Sequence, residues 1–258
     1  MNKIAIAIPY YNRSEFILET IQNIVNDDRV EEIIINDDCS DINDFNDMNI
    51  ALANISKIKI YRNEKNLGSY LNKVETIRRC TTKWVFLLDS DNFLYADSLD
   101  ALYAIGWNKE TVYYPAGVFI NGKNSPYNSI NGNLGHDRFC GDKDIYFEDV
   151  QEICSKDMGF GGLLNAGNCF ANRDNYLHVC DSFKEVLERN DLKPWASDGI
   201  FFNYIWLING FSMKVVLGLN YHHRVHSKSS WGQTACESTH ISNILMDAFL
   251  TKNKNLWK

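Results

Sequence analysis

Four short apolar runs recur in the first ninety residues: Ile4–Ile8, Glu32–Ile35, Ile58–Tyr61 and Trp84–Leu88. They are nearly continuous in β-branched and bulky residues, which is how a strand buried on both faces reads. Between them, Phe16, Ile17, Thr20, Ile21 and Ile24, then Leu71, Val74, Ile77 and Arg78, repeat at helical spacing. A chain that alternates strand and helix in this way is constrained to an α/β fold. The expected form is a mostly parallel central sheet with right-handed crossovers and helices on both faces.

In such a sheet ligands bind outside the carboxyl ends of the strands. The candidate site is therefore written just past each run: Pro9-Tyr10-Tyr11-Asn12-Arg13, Asn36-Asp37-Asp38-Cys39-Ser40-Asp41, Arg62 to Gly68, and Asp89-Ser90-Asp91-Asn92. Every junction is polar and two are strongly acidic. Past residue 92 the alternation loosens. The pattern predicts a helix over Ser98–Ala104, a strand over Thr111–Tyr114 and long loops with a short hairpin from Gly117 to Phe160. Regular structure resumes with a strand at Asn168–Ala171, helices over 175–188 and 197–209, a strand over Met213–Leu217 and a helical tail over Ser238–Leu250.

Composition narrows the function classes. A formal charge of -7 in 258 residues argues against nucleic acid as a partner, which needs a basic footprint. A small phosphorylated ligand stays open, since a metal ion can supply positive charge. Seven cysteines without a C-x-x-C pair read as scattered thiols and suit a reducing, cytoplasmic setting. The opening strand-like run lacks the flanks of a signal peptide, and the apolar stretch Ile200–Ile208 is too short to span a bilayer. No transmembrane segment is expected, while peripheral contact with a membrane is left open.

Asp89 and Asp91 stand two apart at a strand end, so an extended backbone projects both carboxylates to one side. Converging oxygens suit a hard divalent cation, Mn2+ or Mg2+, that keeps positions for phosphates and water. Taken alone, the triplet equally suits an Asp-capped turn. Asp38 can accept hydrogen bonds from a ribose or a nucleobase, and Ser40 and Asp41 can cap the next helix. The turn Pro9–Arg13 contains neither G-x-G-x-x-G nor a Walker signature, which argues against dinucleotide and P-loop sites.

Together these residues resemble the family 2 glycosyltransferases of GT-A fold. Ile4 to Arg13 is similar to the family's strand followed by P-x-Y-N. Ile35-Asn36-Asp37-Asp38-Cys39-Ser40 is similar to its D-D-G-S, with Cys39 where glycine is usual. Asn66-Leu67-Gly68 matches N-x-G, and Trp84 to Asp91 matches the strand leading into D-x-D. The resemblance implies one GT-A domain over 1–258, with a nucleotide-binding half (1–92), an acceptor-binding half (93–235) and a helical tail (236–258). It implies that Pro9, Tyr11, Asn12, Asp38, Asn66, Gly68, Asp89 and Ser90 bind the nucleotide-sugar, with Asp38 reading the uracil edge if the nucleotide is UDP. Asp91 would bind the metal that bridges the diphosphate. The sequence departs after Asn66-Leu67-Gly68, where Tyr70-Leu71-Asn72 replaces the frequent A-R-N and the basic residue is missing.

The second half matches more loosely. Gly159-Phe160-Gly161-Gly162 through Arg173 is similar to a glycine-rich strand facing the donor sugar and acceptor. Ser197-Asp198 resembles the E-D that opens a late helix, which would make Asp198 the catalytic base; the alternative is a helix N-terminal acid favoured by the dipole. Tyr221 to Ser229 resembles Y-x-x-H-x-x-S, in which the histidine, here His226, joins the metal or touches the diphosphate. Trp107, Trp195 and Trp231 can stack on a sugar or simply pack; His136, Asp137, Asp142 and Asp144 crowd a loop that can order over bound substrate or be solvated surface, and the acids read as solvated. The implied reaction is inverting transfer of a hexosyl unit from a nucleotide-sugar, most readily a UDP-sugar, to a glycan or other hydroxyl acceptor, as in polysaccharide synthesis. A sugar-nucleotide nucleotidyltransferase and a non-catalytic carbohydrate-binding module are the alternatives.

Overall fold

The computed structural model describes residues 2–121, 136–190, 192–194, 197–224, 226 and 235–257. The four apolar runs form β1 (Ile4–Tyr10), β2 (Val30–Asp37), β3 (Ile58–Arg62) and β4 (Trp84–Leu87). They pair in parallel in the order β3-β2-β1-β4. The sheet continues through β7 (Cys169–Asn172), β6 (Thr111–Asn121), β8 (Ser212–Arg224) and β5 (Phe93–Leu94). Pairing is antiparallel at β4–β7, β7–β6 and β8–β5 and parallel at β6–β8. The sheet is therefore mixed: all parallel from β3 to β4, and beyond β4 parallel at the β6–β8 pair alone. Antiparallel neighbours need no βαβ crossover, and the alternation of strand and helix lapses in the sequence where they begin.

The absence of alternation within the first strands has a direct structural cause. Along β1, Ala5 and Ala7 enter one core while Ile4, Ile6, Ile8 and Tyr10 enter the other, all of them fully buried. β4 divides likewise, with Val85 and Leu87 on one side and Trp84, Phe86 and Leu88 on the other. The second face is covered by α1 (Ile17–Ile21), α2 (Ile42–Leu52) and α4 (Ser98–Ala104) through Ile17, Met48 and Leu99 among others. The first face is covered by α3 (Ser69–Arg79), α5 (Phe147–Lys156), α6 (Phe160–Leu164), α7 (Arg173–Ser182), α8 (Lys184–Arg189), α9 (Asp198–Ile208) and α10 (Ala235–Leu250).

α9 explains the longest apolar stretch. Its residues Ile200 to Leu207 are all buried, so a helix apolar on every side lies inside the domain. Asn203 interrupts it at no loss, accepting from the Tyr114 hydroxyl at 2.7 Å and donating to the Leu164 carbonyl at 2.8 Å. No helix among the described residues is long and apolar enough to cross a membrane.

Several elements differ from the sequence expectation. The stretch assigned to loops holds a 3-10 turn at His136–Phe139 and the ten residues of α5, whose Phe147, Val150 and Cys154 form a narrow buried stripe amid acidic residues. Gly159 to Gly162 is not strand: Phe160–Leu164 is helical, with Phe160, Leu163 and Leu164 buried. The helix expected over 175–188 is broken at Phe183 into α7 and α8. β8 runs thirteen residues and not five. Asp144 is no solvated acid, since it accepts from Thr111 at 3.0 Å and Ser212 at 3.2 Å, and His136 is buried. Trp107 packs on Trp84 and Phe170 and donates to the Leu102 carbonyl at 2.8 Å. Trp195 and Trp231 lie outside the described residues.

Candidate active site

The chain runs from β1 outward to β2 and β3, then returns to place β4 on the other side of β1. The strand order reverses there, and the crevice at the carboxyl ends of β1 and β4 is where such sheets bind ligands. Its first wall is the turn after β1. Asn12 sits at φ 51, donates its backbone N–H to Ser40 Oγ at 2.8 Å and accepts the Asp41 N–H at 2.9 Å. Ser40 and Asp41 thus secure the turn; the Asp41 side chain makes no cap to α2. Tyr10 and Ser14 both donate to Asp44 on α2. Tyr11 stands 46% exposed beside this braced turn, a ring free to stack on a ligand.

The second wall joins β2 to α3. Asp38 is 2% exposed and accepts three hydrogen bonds: from Leu67 N at 2.8 Å, Gly68 N at 2.9 Å and Asn63 Nδ2 at 2.9 Å. Burial pushes its carboxyl above the usual range, against the pull of those donors. Most of its acceptor capacity is spent on the loop that opens α3, leaving little for a base. Gly68 has φ 81, a conformation L side chains avoid, and also donates to Asn66 Oδ1 at 3.0 Å. Beneath lies a buried amide cluster in which Asn72 accepts from Asn36 at 2.8 Å and from Asn63 at 3.2 Å.

At the end of β4, Asp89 and Asp91 point into different surroundings. The Asp89 N–H donates to Asn168 Oδ1 at 2.7 Å, and its carboxylate takes the Lys73 ammonium at 3.0 Å. The same ammonium reaches Asp198 Oδ2 at 2.6 Å, at the first turn of α9. Burial works to lower the Lys73 pKa, but the charges of Asp198 and Asp89 outweigh it and hold the group above the ordinary lysine value. Burial and the nearby Asp89 push Asp198 up, with Lys73 opposing. Ser90 is buried, its carbonyl accepting from Thr20 at 2.9 Å.

Asp91 Oδ2 meets His226 Nε2 at 3.0 Å and Arg13 Nε at 3.5 Å. Burial alone would raise the Asp91 pKa; the His226 hydrogen bond and the Arg13 charge hold it below the usual value. The His226 ring packs against Phe16, and Arg224 donates to the Asp91 carbonyl at 3.1 Å. Among the described residues no three His, Cys, Asp or Glu side chains gather as a ready metal cage. One carboxylate and one imidazole converging at 3.0 Å do suit a cation whose other positions are filled by phosphates and water.

The sequence profile of Glycosyl transferase family 2 matches residues 5–158, more than half of the chain and all of the strand ends just described. The chain belongs to glycosyl transferase family 2. Its fold is GT-A, here with a mixed sheet. The crystal structure of S. aureus TarS 1-349 in complex with UDP-GlcNAc is similar at TM-score 0.56 and 14% identity, covering 96% of this chain and 71% of that one. The complex of the same TarS fragment with UDP gives TM-score 0.55 at 14% identity over 97% of this chain and 71% of that one. For the crystal structure of S. aureus TarS, 98% of this chain covers 44% of the other at TM-score 0.54 and 14% identity. No curated protein sequence matches.

Within this family 2 fold, Asp89, Asp91, Asp198 and His226 gather around the carboxyl end of β4. Pro9, Tyr11, Asn12, Asp38, Asn66 and Gly68 line the β1 and β2 side. Sequence reasoning missed Lys73. A basic residue stands two positions past Leu71, paired with Asp89 and Asp198, and the signal was there: a lysine on the stripe of Tyr70, Val74 and Ile77, which is otherwise apolar. Arg13 and Asn168 were quoted within motifs but given no role. Only the fold reveals that they brace Asp91 and Asp89.

Proposed function

We propose that this family 2 glycosyltransferase moves a hexosyl unit from a nucleotide-sugar, a UDP-sugar foremost, to an acceptor hydroxyl with inversion, in glycan or polysaccharide synthesis. The observation that carries the reading is that Asp198, far along the chain, meets the same Lys73 ammonium as Asp89 of the D-x-D triplet. A base candidate and a donor-site acid therefore share one pocket. The crystallisation of TarS, a fold relative, with UDP-GlcNAc and with UDP supports the choice of nucleotide. The six described cysteines are all free, in keeping with a reducing, cytoplasmic setting.

In this reading Asp198 takes the proton from the acceptor hydroxyl, and its raised pKa strengthens it as a base. Attack on the face of the anomeric carbon opposite the departing diphosphate inverts the configuration. Asp91 and His226 would hold Mn2+ or Mg2+, which when bound supplies positive charge against the leaving diphosphate. Tyr11 offers a stacking surface for the base, and Asp38 shapes that end by fixing the Leu67-Gly68 backbone. The test is thermal stabilisation by UDP, GDP and dTDP, each with and without manganese, in the wild type and in Asp91→Asn. UDP with manganese should stabilise most and Asp91→Asn should lose the metal-dependent part. Stabilisation indifferent to both metal and substitution would overturn the donor-site assignment, and a product of retained anomeric configuration would overturn the inversion.

A further inference from the structure

Lys73 lies on the buried face of α3, its side chain 9% exposed, where an unpaired ammonium would be untenable. It is compensated by two carboxylates from distant parts of the chain, Asp89 after β4 and Asp198 at the start of α9. The backbone closes over this triad: a Cβ on Gly167 would stand 2.7 Å from Lys73 Nζ and 3.0 Å from Asp89 Oδ2. A partly open pocket of only about 10 Å³ adjoins it, walled by Lys73 and Asp198 themselves with Tyr70, Tyr114 and Tyr176. The Lys73–Asp198 pair is thus largely shielded from solvent and weakly screened, with side chains 9% and 12% exposed, while Asp89 is more open at 29%. Without the ammonium, the two acids would face each other as like charges.

We propose that Lys73 is a positioning residue for transfer, fixing the Asp198 carboxylate in the orientation from which it takes the acceptor proton and tying that orientation to Asp89 on the donor side. The inference rests on the transfer reading for the role of Asp198, but the coupling of the three charges stands on geometry alone. A base displaced by about 1 Å costs on the order of a hundredfold in turnover. Lys73→Met should therefore lower kcat by about a hundredfold or more, well beyond its effect on either substrate's KM. Lys73→Arg, which keeps the charge, should recover at least about tenfold of that loss.

The measurement that a mere packing role would not reproduce is a thermal cycle made without substrate. Lys73→Met leaves two facing carboxylates and should lower Tm; adding Asp198→Asn removes one of those charges and should return much of the lost Tm. The proposal is overturned if Lys73→Met keeps kcat within about twofold of wild type, or if Lys73→Arg is as slow as Lys73→Met while stable. It is equally overturned if the double variant is no more stable than Lys73→Met. Failure of the transfer reading would appear separately, as full activity in Asp198→Asn, and the thermal cycle would still decide whether Lys73 couples the acids.

Discussion

Cys39 stands at φ 62, the left-handed conformation that glycine takes freely and a side chain occupies at a cost. That conformation is the physical reason a glycine is usual in the D-D-G-S pattern. Cys39→Gly should stabilise the protein by about 0.5–1 kcal/mol, read as a rise in Tm of about 1–4 °C. A fall in Tm would mean that the thiol contributes more than its backbone costs. At this scale the identity of the acids was legible in the sequence, because strand ends name their own positions. Their partners were not. That Asp38 spends itself on the amides of Leu67 and Gly68, that Asp89 shares a lysine with Asp198, and that Asp91 meets His226 depends on loops brought together from segments far apart in the chain.

At the scale of elements, the start of α9 is the tightest junction near the site. Gly199 approaches the Asn165-Ala166 backbone so closely that a Cβ there would meet the Asn165 carbonyl oxygen at 2.5 Å and that of Ala166 at 2.8 Å. Neither backbone atom can swing aside as a flexible side chain would. Gly199→Ala should push the first turn of α9 outward and carry Asp198 with it. The expected result is destabilisation of about 1–3 kcal/mol with a loss of turnover larger than the loss of stability explains. Wild-type Tm and kcat in that variant would show that the junction gives way without moving Asp198, or that Asp198 is not the base proposed. The elements with strong, uniform patterning were legible: β1, β2 and β4 as strands with residues buried on both faces, β3 as the half-buried edge strand beside them, and α9 as an apolar helix. α5 was hidden because it buries only Phe147, Val150 and Cys154, and β8 because its outer part, Gly218 to Arg224, carries polar residues.

Across the whole molecule, two cores on opposite faces of one sheet bury most of the hydrophobic chain, and a few titratable groups go in with it. His136 is one, 4% exposed, with its ring donating to the Pro115 carbonyl. Burial pushes its pKa from 6.5 down to about 4, with Arg138 adding to the effect. The unfolded chain takes up this proton near pH 6.5 and the folded chain only near pH 4, so unfolding binds a proton between those values. Stability is therefore unaffected above the upper value and falls as pH drops below it, by about 3 kcal/mol once both states are protonated. His136→Gln keeps a donor and loses the titration. Denaturation by urea from about pH 7 to about pH 4.5 should show a shallower acid loss in that variant than in the wild type. Equal slopes would remove His136 from the acid response.

α9 carries Asp198 on a helix with no solvated side, wedged between the sheet and the C-terminal helix. Its one carboxylate is thus anchored in the part of the domain least able to adapt. If Asp198 is the base of the proposed transfer, fitting acceptors of different shape falls to segments outside that core, which can change their sequence while the carboxylate keeps its place.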